Sequence, residues 1–311
     1  MGSAARGRRR RRFTRGALIT GAILTVVCAT TPAAAQTSAQ NRTIHPDGQW
    51  HTVITVPVEA DAGEKWHVQG RVQLEDAEAR LLVGERLRCD AQTGLEVRTT
   101  QNTYTGQERA VLRARYIFTA PAAGTYQCEM LVRVAYPSTL RPPADVLLRG
   151  SGTSLEVRPA PGWARHKYQE LERVIRRNRP SDLAVMSWTP PDSVSRFDLT
   201  GDIEYTNCYN TYHACNTVPS NGNQSVVESR LQALQLATNG GYCRVTSSAS
   251  RRLVVSWAVH HRKTYHRLHN ISVSGAAECT RRFRLKVHTR WVSGNPMMTE
   301  LGPWSNLYVT D

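Results

Sequence analysis

Apolar and polar residues alternate one for one in segment after segment of this chain, a period that suits a β-strand and not a helix. Trp66, Val68, Gly70, Val72 and Leu74 share one face of such a segment, and Lys65, His67, Gln69, Arg71 and Gln73 share the other. Side chains on a strand point to opposite sides in turn, so this stretch predicts a strand with one covered and one solvated face. Similar segments occur at 52–58, 81–89, 110–118, 125–134 and 154–157, separated by turn formers such as Pro46-Asp47-Gly48 and Pro121-Ala122-Ala123-Gly124. Beyond residue 196, Phe197, Leu199, Ile203 and Tyr205 alternate with Asp198, Thr200, Asp202 and Glu204, and Leu253, Val255, Trp257 and Val259 mark another apolar face. Residues 226–236 fit either period and take a strand from their neighbours. Many short strands punctuated by turns predict an all-β chain of two antiparallel β-sandwiches in tandem. The segment 164–179 reads either as the one helix, since Tyr168, Leu171, Val174 and Ile175 recur at helical spacing and Pro180 stops the run, or as a charged linker.

Residues 1–35 read as a secretory signal peptide. Seven arginines without an acid precede an apolar run at 17–27, and Ala33-Ala34-Ala35 supplies a small-residue cleavage site. An apolar run of about 11 residues is too short to cross a bilayer, which needs ~20. The expected mature chain starts at Gln36 and is secreted. It divides into a first sandwich at 36–160, a linker with the helix at 161–195, and a basic disulfide-bonded β domain at 196–311, with the break at Arg158-Pro159-Ala160-Pro161-Gly162.

Removing the signal changes the charge balance. The full chain carries +15, and the signal arginines account for seven of it. Residues 36–160 hold 14 basic and 14 acidic side chains, whereas residues 161–311 hold 19 and 11. All the remaining excess sits in the second half, and such asymmetry points to different partners for the two halves.

Six cysteines remain after cleavage, and an even number in an exported chain predicts disulfides. If each half folds alone, Cys89 pairs with Cys128. In the second half Cys208–Cys215 and Cys243–Cys279 are expected, because the first of these is local. No C-x-x-C pair occurs, so a cysteine zinc site is not expected.

Gly124-Thr125-Tyr126-Gln127-Cys128 resembles the immunoglobulin-like strand in which a tyrosine two residues before a cysteine bonds back to the backbone. The resemblance implies that Tyr126 forms such a corner and that Cys128 reaches Cys89 across the sandwich. It is to the broad immunoglobulin-like class, since no tryptophan lies between the two cysteines. The arginine-rich composition and signal resemble those of secreted proteins of high-GC Gram-positive bacteria.

The strongest functional pattern is at 282–292. Phe283, Leu285, Val287 and Trp291 alternate with Arg282, Arg284, Lys286, His288 and Arg290, so a strand would align five basic groups ~7 Å apart on one face. Such a row fits an acidic cell-wall or capsule polysaccharide, or another envelope protein, unless Asp198, Asp202 and Glu204 lie beside it and neutralise it. His260, His261, His266 and His269, among Arg262, Lys263 and Arg267, read as a polar hairpin tip; no acid in the segment orients an imidazole for metal. The segment 208–215 presents Tyr209, Tyr212 and His213 in a small loop. No G-x-S-x-G, H-E-x-x-H or phosphate-loop motif occurs. The chain therefore reads as a secreted binding or structural protein of the cell envelope, with neither catalytic residues nor cofactor expected. A hydrolase or inhibitor whose site assembles only in three dimensions is the alternative.

Overall fold

The computed structural model describes residues 34–75, 81–90, 94–104, 107–136, 145–208, 224–256 and 261–311. Residues 1–33, residues 209–223 with Cys215, and residues 257–260 with Trp257, Val259 and His260 lie outside them. The described chain is built of antiparallel strands, and Gly150–Gly152 forms the one helical turn among these residues.

Four sheets make two sandwiches. In the first sheet, β4 (Lys65–Glu75) is central, flanked on one side by β7 (Arg109–Thr119) and on the other by β10 (Ser154–Ala160) and β9 (Val146–Leu148). β1 (Ala35–Ser38) and β2 (Arg42–Ile44) complete its edges. The second sheet runs β3 (Trp50–Ala60), β8 (Gly124–Ala135), β5 (Leu82–Arg88), β6 (Glu96–Asn102). Val68, Val72 and Leu74 of β4 meet Val56, Leu87 and Val132 of the second sheet in one apolar core. Full burial of such side chains contributes about 1.5–3 kcal/mol each, enough to hold two sheets face to face.

The second sandwich follows the same logic. Its third sheet has β14 (Arg196–Asn207) at the centre, with β18 (His261–Ser272) on one side. On the other side lie β21 (Gly302–Thr310) and β20 (Met297–Thr299), backed by β11 (Arg165–Gln169) and β12 (Arg173–Ile175). The fourth sheet centres on β15 (Gln224–Ala237). It is flanked by β19 (Cys279–Gly294) with β13 (Ser181–Trp188) beyond, and on the other edge by β16 (Tyr242–Ser247) and β17 (Arg251–Ser256). Phe197, Leu199 and Ile203 of β14 pack on Leu231, Phe283 and Leu285 to form a second core.

Two expectations need correction. The segment 164–179 is not a helix. Its residues form β11 and β12, because Ile175 is drawn into the second core and Tyr168 reaches the Glu96 carbonyl of β6. Those tertiary contacts outweigh a local helical period carried by only four apolar residues. The Cys89–Cys128 bond does form, but not across the sandwich. Strands β5 and β8 are neighbours with Arg88 opposite Glu129, so the next residues, Cys89 and Cys128, join adjacent strands of one sheet. The Tyr126 hydroxyl donates to the Ala122 carbonyl at 2.7 Å and accepts from the Ala122 amide at 3.2 Å, the backbone bond implied by the immunoglobulin-like strand. Cys243 is bonded to Cys279, and Cys208 is also in a disulfide, while Cys215 lies outside the described residues.

Candidate binding face and buried charge network

β19 carries the basic row. Phe283, Leu285 and Val287 point into the second core, so Arg282, Arg284, Lys286, His288 and Arg290 stand on the outer face of the fourth sheet. The register adds further cations from neighbouring strands. Glu228 of β15 lies between Arg290 and Arg252 of β17, and Arg230 lies opposite His288. Only two carboxylates answer them among the described residues. Asp182 of β13 contacts Lys286 at 2.8 Å, His288 Nδ1 at 2.9 Å and Arg284 at 3.6 Å, and Glu228 accepts from Arg290 Nε at 2.8 Å. Burial alone would raise the Asp182 pKa; the bonds from Lys286 and His288 outweigh it and hold the carboxyl below its ordinary range. The face is partly neutralised yet keeps six arginines and lysines (Arg230, Arg252, Arg282, Arg284, Lys286, Arg290) against two acids. Arg284 and Arg290 remain 44% and 62% exposed, so a ligand can reach them.

The acids that would have neutralised this row had they lain beside it are elsewhere. Asp198, Asp202 and Glu204 belong to β14 in the opposite sheet, and all three are buried. The alternation at 197–205 correctly separates two faces, but the polar one is covered by the first sandwich instead of by water. Asp202 accepts two bonds from Arg115 of β7, each 2.8 Å. Glu204 accepts from the Thr100 amide at 3.0 Å and from the Thr100 hydroxyl. Asp198, near the edge, is held by Arg267, by His269 Nδ1 and by the Asn270 amide.

Other polar groups close the same junction. Lys263 donates to the Arg98 carbonyl at 2.6 Å and to Thr99 Oγ1 at 3.1 Å, and Asn306 donates to the Arg115 carbonyl at 2.8 Å. On β4, the face expected to be solvated is covered at its start. Lys65 donates to the carbonyls of Gly162 and Ala164, and His67 Nε2 lies 3.0 Å from the Tyr308 hydroxyl. Burial pushes the His67 pKa down to about 3, helped by Arg158, Arg115 and Arg267, and does the same at His166.

Glu85 was not singled out in the sequence. Val83, Glu85 and Leu87 alternate inward on β5, so this carboxyl sits inside the first sandwich, where neither oxygen meets a donor in hydrogen-bonding geometry. Burial raises its pKa to about 8, and Lys263, the Ala114 backbone and Arg113 offset that only in part. Gly70 of the facing sheet makes the room: a Cβ there would crowd Glu85 Oε1 and stand 2.7 Å from Leu87 Cδ2. A glutamate at an inward position between Val83 and Leu87 was the available signal.

The histidines are not a hairpin tip. His261, His266 and His269 lie along β18, which pairs with β14 over its length. His266 is buried between two hydroxyls, Ser229 Oγ at 2.6 Å from Nε2 and Ser248 Oγ at 3.2 Å from Nδ1. A serine–histidine pair of this kind resembles a nucleophile with its base, but the orienting partner on Nδ1 is a hydroxyl in place of a carboxylate. Both Ser229 and His266 are 2% exposed or less. Cys243, Glu278 and Cys279 are the one grouping of metal-type ligands among the described residues, and the two sulfurs are consumed in their disulfide.

No family model matches the chain, and no curated protein matches its sequence. Solved structures do. A tandem of CBM22 domains from Paenibacillus barcinonensis Xyn10C is 10% identical, covering 91% of this chain and 99% of that one at a TM-score of 0.25. The infectious bursal disease virus VP2 subviral particle is 7% identical, covering 90% and 72% at 0.29. A protein from Parabacteroides distasonis named as secreted is 9% identical, covering 88% of each chain at 0.23. Similarity at this level is no basis for a function.

Proposed function

We propose that this is an extracellular binding protein that holds an acidic envelope polymer, such as a wall or capsule polysaccharide, on the outer face of the fourth sheet. The observation that carries this is the charge excess on the outer face of the fourth sheet, six permanent cations against Asp182 and Glu228. A row of charges with a strand's repeat attracts a polymer that repeats its own charge, and several weak, screened contacts add along its length. The disulfides support an oxidising compartment, where such bonds persist. Among the described residues no helix is long and apolar enough to cross a membrane.

The test is retention on immobilised polygalacturonate. The chain should elute at raised salt, as screened surface charges require. Changing Arg282, Arg284 and Arg290 together to Ser should lower its affinity about tenfold or more and move elution to low salt. Retention equal to that of the unaltered protein would overturn the proposal.

A further inference from the structure

The chain turns from β12 into β13 through Arg176-Arg177-Asn178-Arg179. The Arg179 amide donates to the Arg176 carbonyl at 3.1 Å, the two residues form an isolated bridge pair, and Asn178 takes φ of 59° at the tip. Asparagine tolerates that left-handed conformation better than most residues, so the tight turn is locally encoded. Arg173, Arg176, Arg177 and Arg179 are all exposed. Among the described residues none of the four guanidinium groups makes an ion pair or a side-chain hydrogen bond, in contrast to Arg284 and Arg290 on the sheet face.

This arrangement is unfavourable in the free protein. Directly opposed residues on paired strands bring their side chains together, and like charges there are destabilising. Arg176 and Arg179 are such a pair, and no carboxylate lies between them. Local conflicts of this kind are expected at functional or strained sites. A cleft of about 550 Å³ opens beside the turn, lined by Arg173, Arg176, Asn178, Arg179 and Ser181, with Glu172 as its one acid.

We propose that this hairpin is a phosphate-binding site, in which Arg176 and Arg179 grip one tetrahedral oxyanion from two sides and Arg173 adds a third cation. A carboxylate offers two oxygens in one plane and a single charge. A phosphate monoester or terminal phosphate offers three acceptor oxygens and more charge, and so suits several forks at once. The site uses none of the sheet-face residues and does not depend on the polysaccharide reading.

Titration calorimetry of the full chain with inorganic tripolyphosphate tests it, on the unaltered protein, on R176S/R179S and on R284S/R290S. The hairpin variant should lose at least about tenfold in affinity, while the sheet variant keeps it. The turn is exposed, so R176S/R179S should fold, with a melting temperature unchanged or slightly raised as the repulsion is relieved. Phosphatidic acid vesicles and a soluble polymer carrying phosphate monoesters then distinguish a membrane from a polymer as the source of phosphate, and binding to either should require Arg176 and Arg179. Equal tripolyphosphate affinity in R176S/R179S and the unaltered chain would overturn the site. So would loss of polygalacturonate and tripolyphosphate binding to the same degree in that variant, because the hairpin would then respond to charge alone. Loss of polygalacturonate retention in the sheet variant bears only on the sheet-face proposal.

Discussion

Gly70 and Glu85 show how one residue's absence of a side chain decides another's fate. Gly70 stands in an apolar series with Val68 and Val72, where any larger residue would extend the core. Its missing Cβ leaves a space that the Glu85 carboxyl enters from the facing sheet. Gly70→Ala should therefore destabilise the protein by about 1–3 kcal/mol, the usual cost of overpacking a filled core. Adding Glu85→Ala to that variant should recover part of the loss, because the crowding atom is removed. Urea unfolding of the two single variants and the double variant measures this coupling. Strictly additive losses would mean that Gly70 and Glu85 do not share the space.

At the scale of the element, β4 and β14 explain both what could be read from the sequence and what could not. Each was legible as a strand, with the correct residues on each face, because alternation is a local property of the chain. What covers a face is not local. Asp202 and Glu204 have the pattern of a solvated edge, and only the arrival of β7 and β6 from the other sandwich makes them buried. The basic row on β19 was legible in full, yet its partners Asp182 and Glu228 come from strands 40 or more residues away in sequence. The segment 164–179 misled because its four apolar residues answer to different neighbours: Tyr168 to the first sandwich and Ile175 to the second core, with Leu171 exposed. The covered face of β14 makes a prediction. Arg115→Ala leaves Asp202 buried without its cation, which should cost about 3–5 kcal/mol. Replacing both by leucine should cost much less, since no charge is then stranded. Denaturant midpoints decide it, and a loss under ~1 kcal/mol for Arg115→Ala would contradict a buried pair.

The whole molecule inherits a pH dependence from groups that its two sandwiches bury. Glu85 is held neutral up to about pH 8 in the folded chain, against an ordinary value of 4.5. The unfolded chain releases that proton earlier, so stability falls as pH rises from about 4.5 through 8. Burial pushes Glu204 in the same direction, against Lys263 and the Thr100 donors. The histidines act oppositely. His67 and His166 stay neutral down to about 3, and His266 to about 4, against an ordinary value of 6.5. Below pH 6.5 the unfolded chain takes up protons that these buried rings refuse, so stability falls as pH drops. Between 6.5 and 8 the carboxyls set the slope, and below 4.5 the histidines do, joined by Asp182 and Asp198, which the folded state keeps ionised. The maximum should thus lie between about pH 4.5 and 6.5. Melting temperatures across pH 3 to 9 at constant ionic strength will locate it. Glu85→Gln, which keeps the shape and removes the charge, should flatten the alkaline limb and leave the acid limb in place. Greatest stability at pH 8 or above in the unaltered chain would show that Glu85 ionises freely in the folded state, and a steep alkaline limb retained in Glu85→Gln would assign the slope to Glu204 and its neighbours at the junction.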